Sequence, residues 1–245
     1  MVSEMEYWKK RATSEEDWNP RSFVNFLKGV DSYRYGNWLS KRMLIKALSQ
    51  VSGDRVLEVG CGIGLITSFL EKICDVTAVD FAPEMLERAD RRTERARLVN
   101  ADVSSLPFQD NVFDGVISVT VLQHIPDERI EKAAKEIQRV SNHWIILIEA
   151  TGERGKRKKN PHTYLRTLNS YINLFASFYL SSLSGIQFRR AKYRYLRKKI
   201  LRKTDILPLL FLKGFCLPFL YFLDFHLAQF AQPALAEHSV LIFKK

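Results

Sequence analysis

The stretch Arg55 to Gly64, RVLEVGCGIG, constrains this chain more than any other. Val56 to Val59 is a short apolar run bounded by glycine, the form of a buried parallel strand, and it leads straight into a turn with glycines at positions 60, 62 and 64. Leu65 to Ile73 then has the apolar spacing of a helix. Strand, glycine turn and helix open a βαβ unit. Gly60, Gly62 and Gly64 let the backbone adopt conformations closed to other residues and let a ligand approach the main chain. The N–H groups at the start of the next helix favour an anionic group. A turn of this kind suits a nucleotide-type ligand, and three acidic residues narrow the choice.

Glu58, two places before Gly60, suits a cationic ammonium and would repel a pyrophosphate. Asp80 ends the apolar run Val76 to Val79, and a carboxylate about 20 residues beyond the first glycine is the expected partner of ribose hydroxyls in a βαβ unit. Asp102, in NADVSSLPF, follows a third strand signal at Ala96 to Val99 and can accept a hydrogen bond from an adenine amino group. A fourth strand signal, FDGVISVTV at Phe113 to Val121, runs into LQHIPD and a helix from Glu128 to Val140. Ligands of open α/β sheets sit beyond the carboxyl ends of the strands, where Thr120 to His124 falls.

On these residues the sequence resembles the class I S-adenosylmethionine-dependent methyltransferases, particularly the small-molecule, UbiE-like branch. The patterns E-x-G-C-G-x-G, x-x-x-D, A-D-x-x-x-L-P-F and F-D-x-V recur there in this order, and here they run from about Gly53 to Ala150. The resemblance implies a Rossmann-like α/β fold with a seven-stranded, mostly parallel sheet whose last strand, EHSVLIFKK, is antiparallel, with helices on both faces. It implies S-adenosyl-L-methionine as cofactor, held by Glu58, Gly60, Cys61, Gly62, Asp80, Phe81, Asp102, Val103 and Thr120. Phe81 is placed to stack on adenine, and Thr120 to His124 lies against the methionine part. His124 is the histidine placed to act as a base near the transferred methyl. Tyr33, Tyr35 and Arg42 are candidates for an N-terminal lid, with Arg42 able to meet the methionine carboxylate.

The expected organisation is a helical lid over residues 1–50, a cofactor-binding core over 51–150, a basic and apolar region over 151–237 that faces substrate or membrane, and the final strand of the core sheet at 238–245. Helices are expected at Trp38 to Leu48, after Pro83, and at Tyr164 to Tyr179, and a sixth strand at GIQFRRAKYRYL. Ile206 to Leu223, ILPLLFLKGFCLPFLYFL, is almost continuously apolar, but Pro208, Lys213, Gly214 and Pro218 argue against a straight membrane span. A single crossing would also strand the last β-strand on the far side. The expectation is a helical insertion of two short helices or a re-entrant hairpin before the final strand.

The formal charge is +11, and its location matters more than its size. Thr151 to Lys203 holds fifteen Lys or Arg against one acid, Glu153, leaving 23 bases and 26 acids elsewhere. A polybasic run directly before an apolar aromatic stretch supplies the two signals that stable peripheral membrane binding needs, so residues 189–223 are expected to meet an anionic membrane surface, the alternative being that the apolar stretch packs on the sheet or walls an apolar substrate pocket. Cys61, Cys74 and Cys216 have no metal-ligand spacing and are odd in number, so no metal is expected and a reducing cytoplasm is the expected setting. The start, MVSEMEYWKK, lacks the basic and then apolar pattern of a signal peptide.

The acceptor is read from what the flanks lack. SVTVLQHIPD stands where a nucleic-acid amino methyltransferase would show Asn or Asp, two prolines and an aromatic. There are no paired catalytic cysteines for carbon methylation of RNA pyrimidines and no radical-type cysteine cluster. The expected acceptor is therefore an oxygen, or secondarily a carbon, of a small or lipid-linked molecule such as a prenylated quinone. Two alternatives stand beside it. One is an RNA methyltransferase gripping phosphates with Lys156 to Lys159 and Arg189 to Lys203, with tyrosines stacking on bases. The other is a non-catalytic scaffold of the same fold.

Overall fold

A computed structural model describes residues 4–13, 40–152, 162–186 and 238–245. Seven strands form one sheet in the order β3-β2-β1-β4-β5-β7-β6. They are β1 Arg55–Val59, β2 Asp75–Asp80, β3 Arg97–Asn100, β4 Phe113–Val119, β5 Ser141–Ala150, β6 Tyr179–Ile186 and β7 His238–Lys244. β1 to β5 pair in parallel, and β7 lies antiparallel to both β5 and β6. The fold is the Rossmann-like one expected, with the strand order reversing at the β1–β4 step.

The helices are α1 Glu4–Thr13, α2 over residues 40–48, α3 Thr67–Leu70, α4 Pro83–Asp90, α5 Asp127–Val140 and α6 Leu168–Leu174. The two faces of the sheet are separated by the period-two alternation of its strands. On β5, Trp144, Ile146 and Ile148 join Met43, Leu44 and Ala47 of α2 and Leu70 of α3. Ile145 and Leu147 face the other way, into a core with α5, Tyr171 of α6, and Phe175. α5 buries Ile130, Ala133, Ala134, Ile137 and Val140 along one stripe, and each such isoleucine contributes about 1.5–3 kcal/mol relative to exposure. Asp127 and Glu128 in its first turn and Arg139 in its last complement the helix dipole.

Carboxylates fasten the loops by collecting backbone N–H groups. One oxygen of Glu71 accepts from the N–H groups of Glu94, Arg95 and Ala96 at 2.9–3.1 Å, fixing the entry to β3. Asp114 accepts from Asp54 and Arg55 at 3.0 and 2.9 Å at the start of β1. Glu136 accepts from Leu106, while the Arg139 guanidinium donates to the carbonyls of Leu106 and Phe108, closing the loop after β3.

Several sequence expectations change. The helix after the glycine turn is regular only over Thr67–Leu70, because the turn itself occupies the residues before it. The fourth strand stops at Val119, since Thr120 enters the left-handed region at φ 60°. The helix expected at Tyr164 to Tyr179 is Leu168–Leu174, capped by Thr167, whose hydroxyl accepts from Ser170 N. Tyr164 to Arg166 instead runs beside the segment after β4. The sixth strand is Tyr179–Ile186, earlier than GIQFRRAKYRYL, and its pairing with β7 shows that the core sheet extends into the region assigned to substrate or membrane. α2 packs in the core through Met43, Leu44 and Ala47. Tyr33, Tyr35, residues 187–203 and the apolar stretch 206–223 lie outside the described residues. Among the described residues no helix is long and apolar enough to cross a membrane.

Candidate functional site

A cleft of about 320 Å³ opens at the carboxyl ends of β1, β2, β3 and β4. Gly60, Cys61, Gly62, Asp80, Phe81, Asp102, Val103, Thr120 and His124 all line it. Residues separated by tens of positions meet because parallel strands deliver their ends to one edge of the sheet. Gly60 and Gly62 have φ of 64° and 53°, in the left-handed region. A Cβ at Gly60 would fall 2.4 Å from Val121, whereas one at Gly62 would meet nothing within 4 Å. The first glycine lets the segment after β4 pack against the turn. The second leaves the main chain bare toward the cleft.

Asp80 ends β2 with one oxygen accepting from Gly62 N at 2.9 Å and the other from Ala82 N at 3.0 Å. The Gly62 N–H is thus met by the chain's own carboxylate. Burial pushes the Asp80 carboxyl above its usual range, against the pull of those bonds. Asp102 accepts from Ser104 N and Oγ through one oxygen at 2.8 and 2.7 Å, and its other oxygen lies 3.4 Å from Arg129.

Glu58, assigned to an ammonium group, does not line the cleft. It is buried beneath the turn and accepts a 2.6 Å bond from Thr67 Oγ1. Burial, aided by the charge of Asp80 and opposed by Thr67 and Lys41, pushes its carboxyl up to about 8. Its position follows from strand alternation, since Leu57 and Val59 face the α5 side and Glu58 must face the other. Arg42 is exposed on α2 and does not line the cleft either.

Two lining residues come from α1 and were not foreseen as site residues: Trp8 and Arg11. Lys9 pairs with Glu84 at 3.0 Å, Arg88 donates to the Ala12 carbonyl, and Ala12 packs with Ile63, Ala82 and Met85. These contacts dock α1 on α4 at the cleft mouth. The Arg11 guanidinium lies over the rings of Tyr7 and Trp8, 6.0 and 5.8 Å from their centroids. The signal in the sequence was the aromatic cluster in EYWKK, which carries no spacing that points to a site.

The segment after β4, residues 120–127, is held from several sides. His124 Nδ1 lies 2.7 Å from the carbonyl of His162 and must donate to it, which in the neutral ring leaves Nε2 as acceptor. The Gln123 side-chain amide lies 3.1 Å from Nε2. Both ring nitrogens are therefore engaged in holding the segment, and the geometry gives His124 a positioning task. Tyr164 N donates to the Gln123 carbonyl at 2.7 Å, and the buried Arg166 donates to the carbonyls of Leu122 and Ile125 and to Asp127, all within 2.8 Å. Glu149, fully buried near the end of β5, accepts from the N–H groups on the other side of the same turn. An acid inside the otherwise apolar WIILIEA was its signal in the sequence.

Residues 56–143 match the model of a family described as a methyltransferase domain. A stretch of 134 residues is 34% identical to the demethylmenaquinone methyltransferase of Staphylococcus aureus, covering 49% of this chain and 54% of that protein. The chain thus spans about half the length of the curated relatives it matches. Among solved structures, the PH0226 protein of Pyrococcus horikoshii aligns at a TM-score of 0.60 with 13% identity, over 96% of this chain and 98% of that one. Magnesium protoporphyrin IX methyltransferase of Synechocystis with bound SAH aligns at 0.51 with 17% identity, over 75% and 88%. At such identities these structures speak for the fold.

Proposed function

We propose that residues 56–143, which match the methyltransferase-domain family, form a class I S-adenosylmethionine-dependent methyltransferase domain, and that the protein transfers a methyl group from S-adenosyl-L-methionine to an oxygen, or secondarily a carbon, of a small or lipid-linked acceptor. One observation carries the reading: Gly60, Gly62, Asp80, Asp102 and Thr120 converge from four strand ends on a single cleft sized for a small ligand.

Bound there, the cofactor supplies a methyl group on a sulfonium whose positive charge is lost as the new bond forms. Asp80, already oriented by Gly62 and Ala82, would accept from the ribose hydroxyls with its remaining lone pairs. Asp102, oriented by Ser104 and shared with Arg129, accepts from the adenine amino group. Arg11 would meet the methionine carboxylate, the task first assigned to Arg42, because Arg11 and not Arg42 lines the cleft. Trp8 closes that end against water. Proximity and alignment of this kind supply about 7–11 kcal/mol of a bimolecular barrier, so positioning alone accounts for much of the rate. With both nitrogens of His124 engaged, the favoured acceptor is one that ionises readily by itself, such as a ring hydroxyl.

The name of the Staphylococcus aureus relative supports a quinone-type acceptor. The charge of residues 151–203 and the apolar run that follows support an encounter at an anionic membrane surface from the cytoplasmic side. Calorimetric titration with S-adenosylhomocysteine tests the first step: the wild type binds, and Asp80→Ala weakens binding more than a hundredfold. Unchanged affinity in that variant, or no binding by the wild type, sinks the proposal. Flotation with anionic and neutral vesicles beside a structured RNA tests the second, where preference for RNA would overturn the membrane reading.

A further inference from the structure

Thr120 is a β-branched residue held at φ 60°, a conformation that such a residue keeps only where its surroundings enforce it. It lines the cleft, so the strain sits where the ligand does. Glu149 supplies the enforcement from below. One of its carboxylate oxygens accepts from Ser118 Oγ at 2.7 Å, Val121 N at 3.0 Å and Leu122 N at 3.1 Å, and the other from Gln123 N at 3.2 Å. These donors flank Thr120 on both sides. Three successive N–H groups converge on this one carboxylate at the turn that opens with Thr120 and runs into the 3-10 helix Leu122–His124.

The arrangement costs more than a structural turn requires. A buried carboxylate gives up its hydration, and a serine or asparagine cap would satisfy one or two of these donors without that cost. The return is a segment fixed in one place: Val121 packs onto Gly60, where a Cβ would fall 2.4 Å from it, and so the segment is registered against the glycine turn. The Arg166 guanidinium holds the carbonyl side of the same turn, so anion and cation grip opposite ends of its dipole.

We propose that Glu149 is a positioning residue for methyl transfer, holding Thr120 in its left-handed conformation against the methionine end of the cofactor. The inference rests on the reading of the cleft given above. It predicts a split between two halves of one ligand, because Asp80 and Asp102 hold the adenosine part by bonds that do not involve Glu149.

The test is calorimetric titration of the full chain with S-adenosylhomocysteine and, separately, with adenosine. Glu149→Gln is expected to weaken S-adenosylhomocysteine about tenfold and adenosine less than about twofold. In a Thr120→Gly background, where the left-handed conformation carries little cost, the effect of Glu149→Gln shrinks to about threefold or less. Ser118→Ala, which removes one donor, weakens S-adenosylhomocysteine about two- to threefold and serves if Glu149→Gln does not fold. Equal losses for both ligands, no loss for either, or the same effect in both backgrounds overturns the proposal. A wild type that binds neither ligand overturns the reading of the cleft, and the positioning role with it.

Discussion

The indole of Trp8 stands edge-on to the imidazole of His124, with ring centroids 4.9 Å apart and planes at 80°. Beside them Tyr7 stacks on His162, 4.2 Å between centroids, and the carbonyl of His162 receives the His124 ring. The first helix is therefore tied to the segment after β4 across the cleft mouth. Replacing Trp8 by alanine opens that mouth and removes an aromatic pair worth about 0.5–1.5 kcal/mol beyond its buried area. The expected result is a loss of about tenfold in S-adenosylhomocysteine affinity with the thermal midpoint little changed. Titration calorimetry and a melting curve on the same sample check both parts.

His124 offers a sharper contrast. A positioning role needs the donor at Nδ1, and the asparagine side-chain amide can place a donor close to it. His124→Asn is expected to keep methyl transfer within about threefold of wild type, while His124→Ala loses tenfold or more. A general base would contribute about 10²- to 10⁴-fold, and both variants would then fall together. Steady-state rates for the pair decide between the two roles.

The two glycines of the turn fail in different ways. Gly60→Ala puts a methyl 2.4 Å from Val121 and forces the segment after β4 away. Gly62→Ala meets no neighbour and bears only the left-handed cost, about 1–2 kcal/mol. We expect Gly60→Ala to lower the denaturant midpoint well beyond Gly62→Ala, and Gly62→Ala to weaken ligand binding disproportionately to its stability. Equal midpoints for the two would contradict the packing described.

Glu58 makes stability depend on pH. Its carboxyl rises from an ordinary 4.5 to about 8 in the folded chain, chiefly through burial. The folded state therefore holds this proton more tightly than the unfolded state, so the contribution is full below about 4.5 and is lost as pH climbs to about 8. The loss is on the order of a few kcal/mol. Glu58→Gln, which keeps an acceptor for Thr67 without the charge, should flatten that part of the profile. Chemical unfolding of both proteins from pH 5 to 8 measures the difference. A wild-type curve parallel to that of the variant would show that Glu58 ionises normally.

Much of the fold was legible because its signals are local. Apolar runs ending at Gly60, Asp80 and Asn100 mark strands whatever surrounds them, and the acids at their ends fall where the topology needs ligand partners. Glu58 shows the limit: spacing put it beside the ligand, while strand alternation turned it under the turn. Trp8, Arg11 and Glu149 had no spacing to give them away, because their roles arise from contacts between distant segments. The serine-rich YLSSLSGI has Ile186 as its one β-branched residue, and it pairs because β7 offers it a ladder. Thr120 carried no sign of its backbone strain, which is set by Glu149 on another strand.

β7 enters the sheet between two strands that precede it in the chain. Until it is made, β5 leaves the ribosome with Trp144, Ile145, Ile146, Leu147 and Ile148 along an open edge, a row of unpaired backbone groups on an intensely apolar strand. Nascent chains of this protein thus carry an adhesive edge throughout the synthesis of some ninety residues. That edge closes only when residues 238–245 arrive and β7 pairs with β5 along Trp144 to Ala150.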